Sequence, residues 1–181
     1  MRVIAGTAKG TRLAPVPGGT RPLSDRAREG LFASLGARVE GARCADLFAG
    51  TGAVGIEALS RGAASCDFVD SGAGAIRAIR ANLSRTGKER AARLYRSDVR
   101  RFLARDAASP YDLAFLDPPY TFPQRGLAAV LEVLVSRLAP GATFVLTRPS
   151  RNPKAVVPLH YALAKSLVYG DALVLVYLEE R

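Results

Sequence analysis

The chain has no tryptophan, one methionine, one histidine (His160) and two cysteines (Cys44 and Cys66) in 181 residues. One histidine and two distant cysteines do not have metal-ligand spacing, so no metal site is expected, and a Ser-His-Asp triad is disfavoured. Two lone cysteines make no disulfide framework; both are expected reduced, in the core of a cytoplasmic protein. No run of about 18 apolar residues is present, so no membrane span is expected. Met1 to Gly6 lacks the apolar stretch of a signal peptide. Acidic residues are also scarce: 16 against 26 Lys and Arg, a net charge of +10 and a pI near 10.3. The imbalance is local. Residues 1–43 hold eight basic residues against three acids, and residues 71–110 hold ten against three. A surplus of that kind fits a polyanionic partner, with nucleic acid the economical choice.

What is present is a core-forming composition, 49% hydrophobic. A chain of this length buries roughly 70% of its unfolded surface and folds without staples. Its organising stretch is Asp46-Leu47-Phe48-Ala49-Gly50-Thr51-Gly52-Ala53-Val54-Gly55. Cys44 to Phe48 is a short buried strand. Gly50, Gly52 and Gly55 follow with G-x-G-x-x-G spacing, which lets the backbone turn sharply and bring bare N–H groups to a ligand. Val54, Ile56, Ala58 and Leu59 then start a helix. Dinucleotide enzymes share the glycine spacing. Asp46 discriminates, because a carboxylate there would repel a pyrophosphate at the helix N-terminus and suit a cationic ligand such as a methionine ammonium. The stretch resembles motif I of S-adenosylmethionine-dependent methyltransferases.

Strand and helix patterns alternate along the rest of the chain. Helices are expected after Ser24 or Asp25 as cap, over Gly74 to Arg85, after Asp98, and across Leu127 to Leu138. Strands are expected at Cys66–Val69, Leu94–Arg96, Tyr111–Leu116, Ala142–Leu146, Tyr161–Val168 and Ala172–Leu178. The tight Tyr169-Gly170-Asp171 link makes the last two antiparallel. The expected fold is α/β: a doubly wound, seven-stranded, mostly parallel sheet. Residues 1–20 are expected to form a small β extension, and residues 21–181 the main domain. No repeat or low-complexity tract occurs.

Asp46, Asp70, Asp98 and Asp117 each follow a predicted strand in successive β-α units. In such a sheet these positions share the carboxyl edge, where ligands bind. Asp46 would face the methionine ammonium, Asp70 the ribose hydroxyls and Asp98 the adenine amine, although aspartate is also a common helix cap. Asp117-Pro118-Pro119-Tyr120 is the most specific motif. Two prolines hold the turn rigid and carry no N–H. The Asp117 carboxylate and Pro118 carbonyl can each accept one hydrogen of a base amine, localising its lone pair for attack on a methyl group. Tyr120 would stack on the target base.

An Asp-Pro-Pro-Tyr motif of this kind is the signature of amino-group methyltransferases. Arg2-Val3-Ile4-Ala5-Gly6, Arg21-Pro22-Leu23-Ser24-Asp25-Arg26, Glu57 to Ala64 and Tyr169-Gly170-Asp171 add a more particular likeness. With them, nearly the whole chain resembles the bacterial 16S ribosomal RNA guanine-N2 methyltransferases. The resemblance implies S-adenosylmethionine as donor, held by Asp46, Phe48, Ala49, Gly50, Gly52, Gly55, Asp70, Ser71, Asp98, Val99 and Asp117. It implies that Asp117, Pro118, Pro119 and Tyr120 act on the base, with Arg21, Asp25, Arg26 and Tyr120 at the substrate. The implied partner is 16S ribosomal RNA in small-subunit particles, with ribosomal proteins as further contacts, met by a monomer. There are departures: Leu23-Ser24 stands where Thr-Thr is usual, Asp70 where Glu is usual, Ser71 where a charge is usual, and Thr147-Arg148-Pro149 where a glutamate is usual. Alternatives are a DNA adenine-N6 methyltransferase, disfavoured because no insertion serves as a recognition domain, and an inert RNA-binding assembly factor. A nicotinamide oxidoreductase leaves Asp46 and the proline pair without a role.

Overall fold

Ser24 Oγ accepts the Ala27 N–H at 3.1 Å and so caps α1 (Asp25–Leu35). Leu31, Phe32 and Leu35 bury one face of that helix, and Gly36 at φ 55° ends it. There follow β1 (Arg43–Leu47), α2 (Ala53–Ser60), β2 (Ser65–Asp70), α3 (Ala73–Thr86), β3 (Ala92–Arg96), α4 (Val99–Leu103), β4 (Tyr111–Leu116), α5 (Gln124–Val135), β5 (Leu138–Pro149), β6 (Tyr161–Tyr169) and β7 (Ala172–Glu179). This computed structural model describes residues 1–16, 22–105, 109–151, 157–158 and 160–180.

The seven strands form one sheet in the order β3-β2-β1-β4-β5-β7-β6. Pairing is parallel from β3 to β5, and β7 runs antiparallel to both β5 and β6. The chain reverses its direction of travel across the sheet between β1 and β4, so the loops leaving those two strands diverge and open a crevice at their carboxyl ends. Alternate residues feed opposite faces. Cys44, Phe68 and Leu113 pack with Phe32, Ile56 and Ile79 beneath α1, α2 and α3. Leu47, Leu116 and Phe144 pack with Phe102, Leu131 and Leu134 beneath α4 and α5. Each such fully buried side chain contributes about 1.5–3 kcal/mol.

One expectation is corrected. β5 is not confined to Ala142–Leu146. It starts at Leu138, because a register shift against β4 between Tyr111 and Leu113 absorbs Pro140-Gly141, and it runs on to Pro149 because β7 pairs with it as far as Ala172. The N-terminal piece is a short hairpin-like turn-back: Arg2 and Arg12 form an antiparallel bridge, and the Val3 N–H meets the Thr11 carbonyl at 3.0 Å while the Leu13 N–H meets the Met1 carbonyl at 3.2 Å. Side chains of the main body also hold its backbone. Glu57 accepts the N–H groups of Ile4 (2.8 Å) and Ala5 (3.0 Å). Ser60 Oγ accepts the Ala8 N–H (2.9 Å) and donates to the Ala5 carbonyl. Val3, Ala8 and Leu13 complete the docking by joining the apolar layer.

Candidate active site at the carboxyl edge

Beyond Leu47 the backbone turns sharply. Phe48 takes φ 62°, a left-handed conformation uncommon for a non-glycine residue. Gly50 (φ 55°) and Gly52 (φ 74°) follow in the same region, and Gly52 caps α2. Two carboxylates hold this turn. Asp46 Oδ2 accepts the Gly55 N–H at 2.9 Å. Asp70 accepts the Gly50 N–H at 2.9 Å with one oxygen and the Gly72 N–H at 2.8 Å with the other. A Cβ placed on Gly50 would meet no atom within 4 Å, whereas one on Gly55 would lie 2.4 Å from the Phe68 ring. The first glycine therefore leaves open space, and the third allows α2 to pack closely on β2.

The open space is a cavity of about 360 Å³ lined by Asp46, Phe48, Ala49, Gly50, Thr51, Asp70, Gly72, Gly74 and Asp117, with Val16, Pro22 and Leu23 along its border. A second cavity, of about 880 Å³, lies beside it. Ser24, Arg26, Asp117 to Thr121, Thr147 and Val168 to Ala172 line it. Pro22, Leu23, Asp117 and Pro119 border both. The Asp117 N–H points to the Leu47 carbonyl at 3.4 Å, and the Phe48 ring meets the Phe122 ring edge-on, centroids 5.0 Å apart. These contacts join the glycine turn to the double-proline turn. Tyr120, 46% exposed, sits on the rim, its hydroxyl donating to the Asp171 carbonyl at 3.4 Å.

Burial dominates the electrostatics. It pushes the Asp46 carboxyl up to about 8; the Gly55 N–H pulls the other way, and the charges of Asp117 and Asp70 push it further up. Burial likewise raises Asp117 to about 6, against a hydrogen bond from Thr147. Two carboxyls poised near neutrality at one crevice are what acid–base or cation-binding work needs.

Not every expected residue reaches the cavities. Asp98 is exposed and accepts the Arg101 N–H at 3.0 Å, so it caps α4. Val99 is buried in the apolar layer with Phe102 and Leu103. Neither is among the residues lining the two cavities described above. Ser71 is exposed, its carbonyl facing Arg96. Gly52 and Gly55 shape the turn without lining it. Asp25 pairs with the buried Arg28 at 2.7 Å instead of facing the larger cavity, which Arg26 borders. Arg21 lies outside the described residues.

Three supporting residues escaped the reading of the sequence. Arg28, fully buried, donates to the carbonyls of Arg2 (2.6 Å) and Ala53 (3.3 Å). Thr147 meets Asp117. Asn82 accepts the Ala14 N–H (2.7 Å) and donates to the carbonyls of Ala14 and Thr51 (both 3.0 Å). Asn82 did carry a signal: an amide beside Leu83 on the apolar side of α3 must find partners when buried.

The family described as Conserved hypothetical protein 95 matches residues 1–178. Ribosomal RNA small subunit methyltransferase D of Escherichia coli strain K12 is 35% identical over 185 residues, 99% of this chain and 90% of that protein. The protein of the same name from Haemophilus influenzae is 30% identical, covering 94% and 89%. A solved Escherichia coli structure superposes with a TM-score of 0.87 at 34% identity, over 99% of this chain and 98% of that one. With the match spanning nearly all its residues, the chain belongs to the Conserved hypothetical protein 95 family, alongside the small-subunit ribosomal RNA methyltransferases D.

Proposed function

We propose that the chain transfers a methyl group from S-adenosylmethionine to an exocyclic amine of small-subunit ribosomal RNA, specifically N2 of a guanine. The observation that carries this reading is the wall that two cavities share at Asp117 and Pro119. A smaller pocket for a donor and a larger one for a base meet at a carboxylate. Kinship with the Escherichia coli enzyme and the +10 charge support ribosomal RNA as acceptor.

The residues present fit the donor. The cavity volume lies in the range of small-ligand sites. Asp46 offers a buried carboxylate to an ammonium, Asp70 offers acceptor lone pairs to ribose hydroxyls, and Gly50 leaves room for the ligand. When bound, S-adenosylmethionine supplies an electrophilic methyl group on a sulfonium and a neutral thioether as leaving group. The chain's own residues prepare the nucleophile. The Asp117 carboxylate accepts one hydrogen of the amine, with the Pro118 carbonyl as second acceptor, so the nitrogen lone pair leaves the ring system. In a poorly solvated wall these charge–dipole contacts are stronger than in water. Tyr120 on the rim stacks on the base, and the rigid proline pair fixes the approach. Asp98 caps α4 with one carboxylate oxygen and keeps the other for the adenine amine.

Small subunits from cells lacking the protein, incubated with it and labelled donor, should gain one N2-methylguanine per particle by nucleoside mass analysis. N6-methyladenine in duplex DNA would replace the RNA reading. RNA binding with no donor binding in calorimetry would make the chain an inert assembly factor.

A further inference from the structure

A third cavity, of about 430 Å³, opens at the opposite, amino-terminal edge of the sheet. Four arginines reach it from different elements: Arg43 at the start of β1, Arg93 on β3, Arg105 just after α4 and Arg137 just before β5. Asp112 occupies the Arg43 guanidinium at 2.8–2.9 Å. Arg93, Arg105 and Arg137 have no ion pair within 4.0 Å among the described residues. Among the described residues one carboxylate lines the cavity, Asp67, which accepts the Tyr111 hydroxyl at 2.8 Å and interacts with Arg93, so a single negative charge faces four guanidinium groups there.

Edge strands often carry charges that block pairing with another chain. That accounts for Arg93 and Arg96 on the outermost strand β3. It does not account for Arg105 and Arg137 converging on the same hollow from α4 and β5. Four guanidinium groups against the carboxylates of Asp67 and Asp112 leave a net positive charge among the described residues, which a further anion would offset. Their planar forks match phosphate oxygens in pairs.

We propose that this cavity grips a backbone phosphate of the RNA substrate, as an anchor on the far side of the sheet from the reacting base. The inference rests on RNA being the acceptor. A strand of five residues is roughly 15 Å long at about 3.3 Å per residue, so the gripped phosphate belongs to a nucleotide remote from the target. The anchor selects folded RNA that presents a phosphate and a guanine at that separation.

The test compares the full chain with Arg93→Gln/Arg105→Gln/Arg137→Gln. A fluorescent single-stranded oligoribonucleotide is titrated by anisotropy over a range of KCl concentrations. The variant should bind about tenfold more weakly at low salt, and its salt slope should fall by about 0.7 for each phosphate no longer gripped. A charge-matched control, Arg38→Gln/Arg80→Gln/Arg85→Gln, removes exposed arginines away from the cavity and should weaken binding less. The corresponding triple Lys variant should keep the salt slope, and melting by circular dichroism reports the fold of each. Equal binding by wild type and the cavity variant, an equal weakening in the control, or no binding by wild type overturns the anchor. So does displacement of the oligonucleotide by equimolar guanosine monophosphate, which would mark a free-nucleotide site. Donor binding, followed separately by calorimetry, should be unchanged in the cavity variant. If wild type binds the oligonucleotide but not the donor, the methyl-transfer reading fails while the anchor stands.

Discussion

The Asp46 carboxylate accepts the Gly55 N–H at 2.9 Å and also lines the smaller cavity. One oxygen therefore anchors the first turn of α2 while the group as a whole faces the smaller cavity, the proposed donor pocket.

Donor binding should tighten as pH rises. Near pH 7 the Asp46 carboxyl is largely protonated, and an ammonium arriving beside it favours the charged form, so binding expels a proton. Affinity should increase by up to about tenfold per unit between pH 6 and 8, then level off. Calorimetry in buffers of different ionisation enthalpy measures the released proton. Asp46→Asn should bind about 10- to 100-fold more weakly, as expected for loss of a charged hydrogen bond, and without this pH dependence. Stability has the opposite sign. The folded state holds its proton to a higher pH than the unfolded chain, so this group's contribution is most favourable below about pH 4 and declines as pH rises to about 8. Urea titrations of wild type and Asp46→Asn across that window should converge at low pH, with the wild type losing ground as the pH rises.

Methyl transfer should switch on through about pH 6, where Asp117 ionises, because only the carboxylate accepts an amine hydrogen well. In single-turnover assays Asp117→Asn should lose about 100- to 1000-fold in rate, the usual scale for one preorganised electrostatic partner, with a modest change in KM. Thr147→Val removes the hydroxyl that holds this carboxyl down, so the midpoint of the pH–rate curve should move upward. An unmoved midpoint would separate Thr147 from the reacting carboxylate.

Local pattern carried the strand–turn–helix around Gly50 and the order of strands and helices, since each rests on residues close in sequence. Asp46, Asp70 and Asp117 were readable as one group because β2, β1 and β4 lie side by side and end at one edge. Asp98 follows the same rule at the end of the outermost strand, where one of its oxygens also caps α4. What stayed hidden depends on contacts between distant residues. Glu57 and Asn82 meet Ile4 and Ala14 more than 50 positions away. Arg28 counted as surface charge until α1, the N-terminal piece and α2 closed around it. The reach of β5 was invisible because β7, far along the chain, sets it.

Gly55→Ala should destabilise the fold without touching the donor. Its Cβ would fall 2.4 Å from the Phe68 ring and 2.8 Å from Cys66 Sγ, both in the β2 core. Overpacking of this kind costs about 1–3 kcal/mol, read as a lower urea midpoint at unchanged slope. Adding Phe68→Leu should restore part of the loss. A double variant no more stable than Gly55→Ala would mean that the backbone, not the ring, sets the cost.

Asn82→Ala should release the N-terminal segment from the glycine turn. The amide makes three hydrogen bonds, two with Ala14 and one with the Thr51 carbonyl, so its removal leaves two partners on the segment and one on the turn. Ala14 can rehydrate where it reaches solvent, and the Thr51 carbonyl is more enclosed, so a destabilisation of about 2–3 kcal/mol is expected. The effect should be local first: amide exchange should quicken at Leu13 and Ala14, while β1 and β4 keep their protection. Donor affinity should then fall several-fold, because Val16, two residues beyond the tethered Ala14, flanks the smaller cavity. Asn82→Asp should behave worse than alanine, since a carboxylate still accepts the Ala14 N–H but confronts two carbonyl oxygens. Unchanged exchange in Asn82→Ala would assign the tether to Glu57 and Ser60 alone.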